Sequence, residues 1–128
     1  MERPADKKTE LDETLFADLF TPGDEESIQN FKTFSKLFHE SWIAGTLKLK
    51  ESIGKSDFSC IKQIGHTLKG TAANMGARAM IEISAAIEKR AASGEIEEIV
   101  RLSALLKSEC EKVEISLEDY GRRLERRA

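Results

Sequence analysis

Leu11, Leu15 and Leu19 fall at every fourth position, with Phe16 and Phe20 beside them. That spacing gathers apolar side chains on one side of a helix, so it predicts a short amphipathic helix over residues 9–20. The polar TPGDEE run that follows closes this helix and opens the next. Thr21 is a candidate N-cap, Pro22 suits a first helical position, and the acids suit a first turn. A second, longer helix is predicted over residues 24–53, ending at Gly54, with Ile28, Phe31, Phe34, Ser35, Phe38, Trp42, Gly45, Leu49 and Ile53 along its buried face. Ile43 and Leu47 lie outside that stripe, which makes sense if the short first helix packs on them. Ser56 is the candidate N-cap of a third helix, and Asn74 with Gly76 provides its end. A fourth is predicted over residues 77–93, with Met80, Ile83, Ser84, Ile87 and Ala91 on one face, Arg78, Glu82 and Lys89 opposite, and Gly94 closing it. In the last helix Ile96, Ile99, Ser103, Leu106, Cys110, Val113, Leu117, Tyr120 and Leu124 alternate steps of three and four. A mean step of about 3.5 is the signature of left-handed, nearly antiparallel bundle packing.

Long helices joined by short connections give an all-α fold, an up-down-up-down four-helix bundle with a short additional N-terminal helix. A length of 128 residues suits one domain with one modest core. Residues 1–8, charged and containing Pro4, read as a flexible leader, and residues 9–126 as the bundle domain. Charged residues at 34% against 6% aromatics favour a helical protein over an aromatic-rich β fold, and a net charge of -3 makes no electrostatic case for nucleic acid. No apolar run approaches the ~20 residues needed to cross a membrane, and MERPADKK lacks a signal-peptide core, so a cytoplasmic location is expected. Cys60 and Cys110, on or near buried faces of different helices, read as reduced core residues. CxxC, HExxH and Glu-x-x-His spacings are absent from the sequence, so no metal or cofactor is expected on this chain.

Chemistry concentrates on the third helix. At about 100° per residue, Ile61, Ile64, Leu68, Ala72 and Met75 share one direction and His66 points the opposite way, among Ser59, Lys62, Lys69, Gly70 and Ala73. A lone surface histidine is ordinary, but Gly70 is not: a mid-helix glycine costs about 1 kcal/mol relative to alanine. Its missing side chain leaves space beside the ring. A neutral imidazole is a nitrogen nucleophile, and Lys69, one turn on, places an ammonium near an anion carried by that nitrogen; a phosphoryl group is the anion that fits. His39, at the edge of the second helix's stripe with Lys36 three residues before it, reads as structural or surface.

The run His66-Thr67-Leu68-Lys69-Gly70-Thr71-Ala72-Ala73-Asn74-Met75-Gly76-Ala77, with Met80 following, resembles the motif of histidine phosphotransfer domains of bacterial and plant-type phosphorelays. That motif reads H-x-x-K-G, then small residues, an apolar residue and G-A, and the resemblance covers residues 31–117. It implies a four-helix bundle whose exposed His66 accepts a phosphoryl group from a receiver-domain aspartate and donates it to another receiver domain. Lys69 would stabilise the phosphoryl oxygens, and Gly70 and Ala73 would permit close approach. The implied partners of a monomeric carrier are response-regulator receiver domains, of a hybrid sensor kinase and of a downstream regulator, with Mg2+ expected on the receiver. Lys62 and Gln63 would rim the contact, and Leu15, Phe16 and Leu19 join it if the first helix leans over the site. Many such domains have a glutamine on the next helix, after an apolar residue, that hydrogen-bonds the histidine. Ile87-Glu88 stands at the matching place, so a carboxylate would orient the ring, and would repel a phosphoryl group if too near.

A G-x-x-x-x-G-K-[ST] loop is absent from the sequence, so the expectation is a phosphocarrier, not an enzyme that charges itself from ATP. Two rival readings stay open at this level. The phosphoacceptor region of a histidine kinase commonly has an acid directly after its histidine and proline at i+4, where this chain has Thr67 and Gly70. The other rival is a non-catalytic docking module in which His66 carries no chemistry.

Overall fold

A computed structural model describes residues 8–126, and all its regular elements are helices: α1 Thr14–Ala17, α2 Glu25–Gly54, α3 Phe58–Met75, α4 Arg78–Ala92 and α5 Ile96–Glu125. Helices α2 to α5 form an up-down-up-down bundle joined by residues 55–57, 76–77 and 93–95. Each packs on its neighbours in the ring order α2, α3, α4, α5 and back to α2. The expected leader, apart from Lys8, lies outside the described residues. Lys8 pairs with Asp119 at 3.1 Å, and Thr9 is tied to α5 through Ser116.

The core follows the apolar stripes. Phe38, Trp42 and Leu49 of α2, Ile61, Leu68 and Ala72 of α3, Met80 and Ile87 of α4, and Ile99, Leu106, Cys110, Val113 and Leu117 of α5 are all buried. Along α5 Leu102 takes the burial that the regular stripe assigned to Ser103, which stays half-buried. At the end of the bundle Phe16 lies with its ring centroid 6.0 Å from Phe31, 5.7 Å from Phe34 and 5.1 Å from Tyr120, and Phe20 joins the same cluster.

Three expectations from the sequence are corrected here. The first helix is α1 alone, not residues 9–20, because the backbone before it bonds to the bundle instead of to itself: Thr9 to Ser116, and Asp12 N–H to the Gly76 carbonyl at 3.0 Å. Thr21 does not cap α2. Pro22 and Gly23 occupy the centre of a turn closed by Asp24 N–H on the Thr21 carbonyl at 3.1 Å, with Gly23 at φ 77°, as such a Pro-Gly turn requires. Asp24 is the cap, accepting from Ser27 N–H at 2.9 Å. Likewise Asp57, not Ser56, caps α3 by accepting from Cys60 N–H at 3.1 Å, while Ser56 makes the reversal at φ 50°.

Nor does α1 cover Ile43 and Leu47. It sits against Phe31 and Phe34 nearer the start of α2, and Leu47 is left 64% exposed.

Gly76 has the least room of the glycines among the described residues. It ends α3 at φ 61°, and a Cβ there would fall 2.5 Å from Asp12 Cβ and 2.8 Å from Asp12 N. Left-handed backbone alone costs a side-chain-bearing residue roughly 1–2 kcal/mol. Gly76→Ala should therefore lower unfolding stability by about 2 kcal/mol or more, read as a reduced urea midpoint with an unchanged slope.

Candidate functional site

The apolar stripe of α3 sets where His66 points. Ile61, Ile64, Leu68, Ala72 and Met75 are buried, so the opposite face turns to solvent, and the His66 side chain is 63% exposed. Lys62, Gln63, Gly70 and Ala73 are exposed on the same helix. A Cβ placed on Gly70 would meet nothing within 4 Å, so the space beside the ring is open.

Gly65 was not singled out from the sequence, yet it makes the site. It is buried where α3 crosses α4, and a Cβ there would lie 3.0 Å from Glu88 N and 3.1 Å from the Ser84 carbonyl oxygen. The glycine lets the two backbones touch. That approach brings the Glu88 carboxylate over the outer face of α3, where Oε2 lies 3.1 Å from His66 Nδ1 and Oε1 accepts from Lys69 Nζ at 2.8 Å. The signal was present as a second mid-helix glycine directly before His66; what it opposes is set by the neighbouring helix.

The electrostatics follow from this bridge. The hydrogen bond from Lys69 is the largest influence and holds the Glu88 carboxyl below the usual glutamate range; burial pushes it upward, and the weaker hydrogen bond from His66 adds to the lowering. Glu88 is thus ionised at neutral pH, and an ionised carboxylate only accepts hydrogen bonds. In the neutral ring it is therefore Nδ1 of His66 that carries the proton and Nε2 that keeps the lone pair, directed away from Glu88. The arrangement is a held, exposed nitrogen nucleophile with an ammonium one turn away.

The first helix contributes less than expected. Phe16 is 0% exposed, filling the aromatic cluster, and is not available to a partner. Leu15 and Leu19 are exposed at 40% and 64%, but the Asp12–Gly76 bond anchors their segment at the end of α3, ten residues or about 15 Å along the axis from His66.

Other reactive side chains are accounted for structurally. His39 Nδ1 pairs with Glu114, whose Oε1 also accepts from Trp42 Nε1 at 2.6 Å, so this second imidazole ties α2 to α5. Burial pushes the Cys110 thiol up to about 12, and Cys60 receives a hydrogen bond from Ser52 Oγ at 3.0 Å. Both cysteines are free. Among the described residues no three His, Cys, Asp or Glu side chains converge as metal ligands, and no helix is long and apolar enough to cross a membrane.

Comparison with known proteins bears on the same stretch. The family model described as Hpt domain matches residues 36–116. The chain is also similar in structure to histidine-containing phosphotransfer protein B of Pseudomonas aeruginosa PAO1, with a TM-score of 0.71 and 23% identity, covering 88% of this chain and 95% of that one. Among curated proteins nothing matches.

Two measurements check the geometry. Because Glu88 is held down chiefly by Lys69, its carboxyl should titrate below 4.5 in the wild-type chain and move upward in Lys69→Met, followed by carboxyl carbon shifts. The bridge is intact above the ordinary glutamate range and lost as pH falls through the lowered value. Gly70→Ala, entering open space in mid-helix, should raise stability by about 0.5–1 kcal/mol in urea unfolding.

Proposed function

Because the chain belongs to the Hpt domain family, whose members are phosphocarriers in phosphorelays and interact with receiver domains, we propose that His66 is its phosphoryl acceptor and donor. The phosphoryl group comes from the aspartate of one receiver domain, of a hybrid sensor kinase, and goes to that of a downstream regulator. The single observation that carries this reading is the exposed His66 ring with Nδ1 on Glu88 and Glu88 bridged to Lys69.

In the transfer, Nε2 attacks the phosphorus of the aspartyl phosphate. The N–P bond forms as the P–O bond breaks, and the aspartate leaves as a carboxylate. No proton has to move, since the Nδ1 proton stays on the ring and Glu88 faces the positive charge the ring gains. Lys69 Nζ has three donors, so it can keep Glu88 and still reach a phosphoryl oxygen. The remaining balance explains how a carboxylate serves where many relatives use glutamine. Attraction to a cationic ring at ~4 Å scales as 1/4 and repulsion from two phosphoryl charges at ~6.5 Å as 2/6.5, so repulsion is larger by about a quarter, and the Lys69 ammonium bonded to Glu88 offsets the difference.

The partner surface is centred on His66, with Gly70 and Ala73 permitting close approach and Lys62 and Gln63 at its rim. A contact of ~800 Å² per partner has a radius of roughly 16 Å, which puts Leu15 and Leu19 at the margin. Among the described residues the one acid bonded to His66 is already engaged by Lys69, so Mg2+ is assigned to the receiver's own acidic pocket. The sequence holds no G-x-x-x-x-G-K-[ST] loop, and charging is proposed to depend on the receiver partner. The carrier is proposed to act as a cytoplasmic monomer.

Transfer from a radiolabelled phospho-receiver in the presence of magnesium tests the reading. Wild-type chain should gain acid-labile, alkali-stable label and His66→Gln none. Folded wild-type chain that stays unlabelled across a panel of receivers would favour the docking module. Glu88→Gln, whose amide oxygen still accepts from Nδ1, should transfer within about threefold of wild type, while Glu88→Ala should be slowed about tenfold or more. Equal rates for Glu88→Ala and wild type would remove the orienting role.

A further inference from the structure

With α1 seated near the start of α2, Leu47 is left exposed and Ile43 half-buried against the core. Together with Ile53 of α2 and Val100 of α5 they line an open groove of about 510 Å³ between those two helices. Leu47 is 64% and Val100 50% exposed, two apolar side chains on facing helices that share one groove and are not scattered singly over the surface. Lys50 borders the groove from α2 and Lys107 from α5, and none of the lining residues is acidic. Residues 42–53 of α2 advance about 16 Å, the length of a three-turn helix.

We propose that this groove docks one amphipathic helix of a partner protein, carrying an apolar ridge flanked by acidic residues. The ridge, at i, i+3, i+4 and i+7, would lie on Leu47 and Val100, and the acids would face Lys50 and Lys107. A second copy of the chain fits less well. An isologous pairing would set groove against groove, leaving the space unfilled, and would gather two copies of both lysines. In the ring of helices α2 and α5 lie across the bundle from α3 and α4, so a helix docked here leaves His66 uncovered. The surface would tether the carrier to one protein while the ring serves another. The proposal is independent of the phosphotransfer reading.

Trp42 lines the groove and is the single tryptophan of the chain, so its fluorescence reports occupancy. The probes are two synthetic helical peptides of about 16 residues sharing one leucine ridge, one flanked by glutamates and the other by lysines. The acidic peptide should shift Trp42 emission and bind about tenfold tighter than the basic one at low salt. The double variant Leu47→Asp/Val100→Asp, with unchanged helical circular dichroism, should lose that binding. Lys50→Glu/Lys107→Glu should reverse the preference, and His66→Gln should bind like the wild type. Equal binding of both peptides, or acidic-peptide binding that survives the substitutions, would overturn the proposal. So would saturation of the groove by phosphatidylglycerol vesicles that shuts the peptide out, or self-association in sedimentation that Leu47→Asp abolishes.

Discussion

The backbones of α3 and α4 touch at Gly65, and the His66–Glu88–Lys69 arrangement depends on that contact. Any side chain at position 65 would meet Glu88 N and the Ser84 carbonyl at about 3 Å, which is closer than nearly all real packing contacts. Because interiors are packed to crystal density, the helices would answer by moving apart, and the carboxylate of Glu88 would move with α4. Its reach to His66 Nδ1 and Lys69 Nζ is a matter of tenths of an ångström. Orientation of one exposed imidazole is thus supplied by a position that touches no substrate.

The bridge from the His66 imidazole through Glu88 to Lys69 combines two demands that conflict on a bare surface. An exposed ring must be open to a partner, yet an open ring rotates and exchanges tautomers. Glu88, one-fifth exposed, is close enough to the core to be held, and Lys69 balances its charge. Glycine at 70 completes the compromise by giving up helix stability for access. What the site gives up is supported elsewhere, in the aromatic cluster of Phe16, Phe20, Phe31 and Tyr120 and in the Asp24 and Asp57 caps.

The two faces of the bundle differ in kind. On the α3/α4 side small residues and charges surround an exposed imidazole, and on the α2/α5 side apolar side chains line a groove that ends near the His39–Glu114–Trp42 tie. The same four-helix framework carries both because each helix is committed to the core along only one stripe.

Local chemistry was legible in the sequence because helix periodicity alone divides buried from exposed positions. The spacing of Ile61, Ile64, Leu68, Ala72 and Met75 turned His66 outward, the step of about 3.5 along α5 specified bundle packing, and the H-x-x-K-G run pointed to the family. The family resemblance even pointed to Glu88 as the partner of His66, although not that Lys69 would share it. Tertiary structure alone decided the rest. Phe16 and Leu19 belong to one apolar pattern, yet one is fully buried and the other 64% exposed, because only the ends of α2 and α5 define which side is covered. The reach of the predicted first helix was settled by Ser116 and Gly76, more than 60 residues away along the chain, which take the backbone bonds that residues 9 and 12 would otherwise spend on a helix. Periodicity specifies a direction about an axis; which neighbour occupies that direction is fixed only when the axes are packed together.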